Sequence, residues 1–155
     1  MLIKLNVDDI NKHWEMIAPM IEESLPPIAN GHIDRMANLL KEILKGSYTV
    51  WLLVKPENRL FSGVLVTTVT EDKGSGTREL LIYALFGGSN ITRDVVKSGF
   101  NTLKAEARNL GCDWLSAYTQ VASVKTLWNS IGGDTSWNYL KMDLDTNVNP
   151  NDSEV

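Results

Sequence analysis

RELLIYALFGGSNITRDVVKSGFNTLKAEARNL, residues Arg78–Leu110, is the stretch around which the rest of the chain is organised. Leu80, Leu81, Ile82, Tyr83, Ala84, Leu85 and Phe86 form an unbroken apolar run, the pattern of a strand covered on both faces. Gly87 and Gly88 end the run, and Ser89, Asn90 or Thr92 caps the helix that follows. Along that helix Val96, Gly99, Phe100, Leu103, Ala107 and Leu110 share one face, and Gly111 ends it. A glycine-containing strand-to-helix turn presents backbone N–H groups at a positive helix end, where phosphate binds.

On the N-terminal side, Met1–Leu5 is a short apolar edge strand. Asp8 or Asp9 caps a helix with Ile10, Trp14, Ile17, Ile21 and Leu25 on one stripe, and Pro19 predicts a kink or break near Ala18. Ile33, Met36, Leu39, Leu40, Ile43 and Leu44 mark a second amphipathic helix, with Gly46 as its C-terminal cap. Tyr48–Val54 and Phe61–Val69 read as a hairpin around Pro56-Glu57-Asn58, and Glu71–Thr77 as a polar loop. On the C-terminal side, Asp113–Thr119 is a strand. Ser123 caps a short helix with Val124, Leu127, Trp128 and Ile131 inward, ended by Gly132-Gly133. Trp137–Leu144 alternates and is expected to close the sheet, whereas Asp145 onward is polar and has no apolar set to pack. The order β-α-α-β-β-β-α-β-α-β gives an α/β fold with a mixed sheet and helices on both faces.

At 155 residues the chain suits one domain, expected over residues 1–144 with a polar tail at 145–155, able to bury about two-thirds of its unfolded surface. A formal net charge of -4 and the absence of a Lys/Arg cluster argue against a nucleic-acid partner. Cys112 is the single cysteine, which excludes an internal disulfide and a cysteine metal cluster and reads as a small buried thiol. His13 and His32 have no partners at metal-ligand spacing, so no metal site is expected. No apolar run approaches the ~18 residues of a membrane span, and Met1 begins no basic-then-apolar leader, so a non-membrane, non-secreted protein is expected.

The element order from Met1 to Leu144 resembles the GNAT (Gcn5-related N-acetyltransferase) fold, most strongly over Leu80–Gly133. The strand ending in Gly-Gly and the phrase Ala107-Arg108-Asn109-Leu110-Gly111-Cys112 look more narrowly like the small GNAT-like proteins of tailed phages. The resemblance implies a sheet of six to seven strands and acetyl-CoA as cofactor. In such enzymes the turn after the central strand carries Gln/Arg-x-x-Gly-x-Gly/Ala, whose amides hold the pyrophosphate, while the splayed strand binds the pantetheine arm. By that resemblance Leu85, Phe86, Gly87, Gly88, Ser89 and Asn90 are the cofactor-binding positions here, although the arginine (Arg93) follows the turn and the later glycines are missing. Where many members carry Leu-Tyr-x-x-x-Gly-Phe, with the Tyr protonating the leaving thiolate, this chain reads Leu127-Trp128-Asn129-Ser130-Ile131-Gly132-Gly133. An indole N–H is a poor proton donor to a thiolate.

The remaining candidates for chemistry are Glu79, the best-placed carboxylate to deprotonate an ammonium, and the hydroxyls of Tyr83 and Tyr118 on neighbouring strands. Each also has a plain structural reading, as a solvated strand-end charge or a core tyrosine with a satisfied hydroxyl. With two motifs weakened at independent places, the resemblance implies a non-catalytic component of a phage particle or its assembly. Protein partners would be other phage proteins or a second copy, in the host cytoplasm or the virion. The alternative is an acetyl-CoA-dependent N-acetyltransferase acting on an amine.

Overall fold

The computed structural model describes residues 1–87 and 92–144. The chain groups into two compact units, Met1–Gln120 and Val121–Val155. The first unit contains β1 (Leu2–Lys4), α1 (Val7–Glu23), a 3-10 turn at Pro27–Ala29, α2 (Arg35–Leu44), β2 (Tyr48–Val54), β3 (Phe61–Asp72), β4 (Thr77–Gly87), α3 (Arg93–Asn109) and β5 (Trp114–Ala117). The second contains α4 (Ala122–Ser130).

The five strands form one sheet in the order β1-β2-β3-β4-β5. The first three junctions are antiparallel; β4 and β5 pair in parallel, joined by α3. The alternation of apolar residues decides what each face receives. Tyr48, Val50 and Leu52 of β2, Val64 and Val66 of β3, and Ala84 of β4 pack with Ile10, Ile17 and Ile21 of α1 and Leu39 and Ile43 of α2. On the other face, Lys4 bonds Glu106 of α3 at 2.6 Å, and a Cβ on Gly99 would meet Leu2 at 3.7 Å. Beneath α3 the buried Trp51 indole N–H donates to Thr67 Oγ1 at 3.0 Å, with Lys4 Nζ 5.0 Å from the ring centroid. Each face is thus sealed by a different helix set, as the mixed α/β reading requires.

Several expectations are corrected. The cap of α1 is Asn6: its side chain accepts from the Asp9 N–H at 2.8 Å, and Asp9 returns the bond to the Asn6 N–H at 3.3 Å. The helix runs through Pro19 unbroken, because the burial of Ile17 and Ile21 on either side outweighs one missing intrahelical donor. Thr92 caps α3, whereas Ser89 and Asn90 lie outside the described residues. Ser123 does not cap α4, which starts two residues earlier, at Ala122 after Val121, with no side-chain cap. The polar loop shrinks to residues 73–76, because Thr70, Glu71 and Asp72 extend β3 opposite Glu79, Arg78 and Thr77. Gly46, Gly111 and Gly132 all follow helices at positive φ. After each, a pair of backbone bonds such as Gly46 N–H to Ile43 O and Ser47 N–H to Glu42 O closes the helix end.

The largest correction concerns the sheet: it has five strands among the described residues, where six to seven are expected. Trp137–Leu144 forms no strand. Alternation specifies a strand only when an edge is there to pair with it. Instead, Asp134 accepts from the Ser136 N–H at 2.9 Å and from the Trp137 indole at 3.2 Å, and these bonds shape the chain after α4.

At the far end of β3, Gly63 opposes Gly87, and a Cβ built on Gly63 would overlap the Phe86 carbonyl oxygen. That obstacle is backbone, so the pairing itself must shift if a side chain is added. Gly63→Ala is therefore expected to cost about 1–3 kcal/mol in urea unfolding, with Gly74→Ala, where a Cβ makes only ordinary contact with the Asp72 carboxylate at 3.8 Å and φ is ordinary, changing stability by less than about 0.5 kcal/mol.

Candidate functional site

The two sides of β4 are held unequally. Toward β3 it is paired along its length, from Asp72↔Thr77 to Gly63↔Gly87. Toward β5 the register runs only through Glu79↔Trp114, Leu80↔Leu115, Leu81↔Ser116 and Ile82↔Ala117. Beyond Ile82 no strand among the described residues pairs with that edge of β4. A parallel sheet whose strands stop pairing part-way opens a cleft with main-chain N–H and C=O groups along its wall.

The bulge lies at the same place. Val66 pairs with Ala84 and Thr67 with Ile82, so Tyr83 is an extra residue with no opposite number on β3. Such a bulge re-aims the local backbone and disturbs the ladder. The first residues beyond the last parallel pair are Tyr83 on β4 and Tyr118 after β5. Sequence reasoning placed both tyrosines on neighbouring strands; the structure brings them to the point where those strands part. Tyr83 is half-buried and meets Tyr48 edge to face, ring centroids 5.1 Å apart at 78°. Burial, with the neighbouring Tyr48 in second place, raises its pKa, so its hydroxyl stays protonated at neutral pH. Tyr118 is exposed.

Along the open segment, Phe86 packs against the α1–α2 core and Leu85 is exposed. The expectation of a run covered on both faces therefore holds for Leu80–Ile82 and fails at Leu85, because β5 has ended. Gly87 closes β4 opposite Gly63. Gly88, Ser89 and Asn90 lie outside the described residues. The helix that follows presents its N-terminus at Thr92, whose side chain takes up the Val95 N–H at 3.3 Å.

Glu79 lies four positions before Tyr83 on β4, roughly 13 Å along an extended strand. Its two neighbours in register both bond to it: Thr70 Oγ1 of β3 donates to Oε1 at 2.8 Å, and the Trp114 indole of β5 donates to Oε2 at 3.0 Å. Ser116 Oγ is buried near the same carboxylate without a hydrogen bond of ordinary geometry. Burial alone would raise the Glu79 pKa, but the donated hydrogen bonds outweigh it and the net displacement is downward. The carboxylate is thus ionised, pinned across three strands and a weakened base. The reading of Glu79 as a solvated strand-end charge misses this clamp, and the signal that could have found it was the Thr70/Glu79/Trp114 register.

Cys112 is half-buried; burial raises its thiol pKa first, Arg78 opposes this, and Asp113 and Glu79 add to it, so it is a poor nucleophile. No group of three His, Cys, Asp or Glu able to hold a metal ion occurs among the described residues. Within the second unit, the Trp128 indole covers Gly133 so closely that a Cβ there would overlap its ring. The two departures from the Leu-Tyr-x-x-x-Gly-Phe phrase are therefore coupled: the larger ring at 128 uses the space that a side chain at 133 would need.

The sequence matches no family model and no curated protein. Solved structures match closely in shape. A "probable acetyltransferase" superposes with a TM-score of 0.66 at 14% identity, covering 95% of this chain and 99% of the other. AAC(6')-Iy in complex with a CoA-based bisubstrate analogue gives a TM-score of 0.69 at 13% identity, over 92% of this chain and 96% of the other. A predicted acetyltransferase from Clostridium acetobutylicum with acetyl-CoA gives 0.66 at 14%, over 93% and 96%. The fold is that of the GNAT acetyltransferases. At these identities the likeness establishes the architecture, and residue roles rest on the geometry above.

The clamp gives a signed pH dependence. Because the folded-state pKa of Glu79 lies below its ordinary value of 4.5, the carboxylate contributes stability that is present above that value and lost as pH falls through the folded pKa. Glu79→Gln is expected to cost about 1 kcal/mol at pH 7. The gap between the two proteins, followed by thermal unfolding, should narrow steadily below pH 4.5.

Proposed function

We propose that this chain binds acetyl-CoA along the open edge of β4 and transfers the acetyl group to an amine. One observation carries the reading: parallel pairing stops at Ile82↔Ala117, one residue before the extra residue Tyr83, so among the described residues the β4 main chain is both unpaired on that edge and bulged at one point. Bound there, acetyl-CoA would supply an activated acetyl group. The chain's contribution is positional. Main-chain groups from Tyr83 to Gly87 present a strand edge to the amide-bearing pantetheine arm, and exposed Leu85 offers it an apolar contact. The N-terminus of α3 provides a positive end for phosphate. Main-chain N–H groups near the bulge suit a developing oxyanion, and alignment of the amine with the thioester supplies much of the rate.

Roles for the three candidate side chains follow from where they sit. Glu79, ionised and held by Thr70 and Trp114, fixes β5 to β4 below the parting and favours a cationic amine nearby. Tyr83, packed on Tyr48, is a positioning residue. Tyr118 is the exposed phenol beside the parting and is assigned to proton delivery. Fold-level likeness to acetyltransferases, two of them in structures with CoA-type ligands, supports the same reading.

Isothermal titration with acetyl-CoA is expected to show saturable binding, and ligand at ~100 times Kd should stabilise the fold by about 2.7 kcal/mol. Thiol release should require an added amine. Tyr118→Phe should lower turnover at least about tenfold with acetyl-CoA affinity unchanged. Absence of both heat and thermal stabilisation would overturn the proposal. A second reading, a non-catalytic binding or assembly component of the phage type, is favoured by the engaged Glu79 and by Trp128 in place of a tyrosine. It expects neither binding nor thiol release, and recovery of the protein in particles with other proteins.

A further inference from the structure

On the α3 face of the sheet, away from the parting, a cavity of about 340 Å³ lies between the strands and the last turn of α3. Leu80 belongs to its lining, five positions before Leu85 and roughly 17 Å from it along an extended strand. Val69, Leu80 and Leu110 make one part of the wall apolar, and Ser47, Thr49, Thr67 and Glu106 make the rest polar. Thr49 and Thr67 stand directly opposite each other on β2 and β3, where valine would suit a strand equally well without a hydroxyl. The Trp51 indole N–H donates to Thr67 Oγ1 at 3.0 Å, which accounts for the hydroxyl at 67. Among the described residues, no hydrogen bond accounts for that of Thr49. Glu106 is engaged through one oxygen: Oε1 takes the Lys4 ammonium at 2.6 Å, and no donor among the described residues reaches Oε2. Its side chain is only 19% exposed, and a carboxylate oxygen that far from bulk water is costly without a donor.

The electrostatics of the cavity have one sign. Gly46 and Ser47 follow the C-terminus of α2, and Glu106 and Leu110 belong to the C-terminal end of α3, so two negative helix ends border one opening. No basic residue lines it; Lys45 and Arg108, close in sequence, are exposed and outside the lining. We propose that this cavity binds a small alkylammonium ion, at a second site separate from the open edge of β4. An ammonium group has three donors, and Glu106 Oε2 with the hydroxyls of Thr49 and Ser47 supplies three acceptors. The alkyl part then has Val69, Leu80 and Leu110 to lie against. The volume falls at the small end of ordinary ligand sites, roughly 300–1,000 Å³. A bare metal cation is the poorer match, because it brings no apolar surface and finds a single carboxylate where hard cations collect several oxygens. Lys4 is the built-in competitor, since its charge already offsets that of Glu106 from outside the cavity.

The experiment is an amide NMR titration of the full chain with n-butylammonium chloride at constant ionic strength, without acetyl-CoA. Saturable shifts are expected at residues 46–49, 67–69 and 106–110, with a millimolar Kd suited to so small a ligand. The uncharged n-butanol should bind at least about tenfold more weakly. Glu106→Gln removes the anion and should weaken n-butylammonium binding about tenfold or more. Lys4→Met removes the competing cation and should tighten it about threefold. Both substitutions break the same ion pair, so damage to the fold would move them in one direction, whereas a cation site moves them in opposite directions. No saturable shift overturns the inference, as do shifts confined to the parting near Tyr83 and Tyr118. An equal response to n-butanol, or weaker binding in both variants, overturns it as well. No arm contains a CoA ligand, so a failure here is distinguishable from a failure to bind acetyl-CoA.

Discussion

Among the described residues the parallel register between β5 and β4 covers four pairs, Glu79–Ile82 against Trp114–Ala117, while β3 holds β4 as far as Gly87. Everything that gives the molecule a candidate site follows from that inequality. If the parallel ladder ran on, the β4 edge would be satisfied and closed. If the β3 ladder ended as early, the edge would have no rigid support. The close Gly63–Gly87 approach maintains the antiparallel side to its end, and the Thr70–Glu79–Trp114 bonds maintain the parallel side at its start. The parting lies between these two fixed points, and the bulge at Tyr83 turns the backbone there.

This view changes what the acidic residue on the central strand is for. A carboxylate that accepts from a hydroxyl on one neighbouring strand and an indole on the other is stabilised as an anion, and the same stabilisation makes it a weaker base. The chemistry the geometry favours is accordingly one of alignment and main-chain dipoles, which asks little of side-chain basicity. The pairing of Trp128 with Gly133 belongs to the same theme: a change of residue type at one motif position is accommodated by a change five residues away, and the helix end is preserved.

Much of the architecture was legible because it rests on local regularities. The apolar run at Leu80–Phe86, the helical stripes ending at Gly46 and Gly111, and the glycine-punctuated short helix each carry their own period and stop signal, and all are found in place. Boundaries governed by long-range pairing were not legible. Polar Thr70–Asp72 looked like loop and is strand because Thr77–Glu79 stand opposite; alternating Trp137–Leu144 looked like strand and pairs with no strand among the described residues. The cap at Asn6 was missed by two to three positions, a local signal read too late, since Asp9 is the reciprocal partner of the cap and not the cap itself.

For the site, the sequence by itself determined which residues were available: one carboxylate and one tyrosine on the central strand, a second tyrosine near the neighbouring strand and a glycine-containing end. It determined the order of elements as far as α4 too, because periodicity and punctuation are properties of neighbouring residues. Tertiary structure alone decided that β4 and β5 part after Ile82, that Tyr83 is the surplus residue and that Glu79 is clamped. Those are facts of register between strands separated by up to 35 positions. Register is set by the packing of both sheet faces together, which no single stretch of chain encodes.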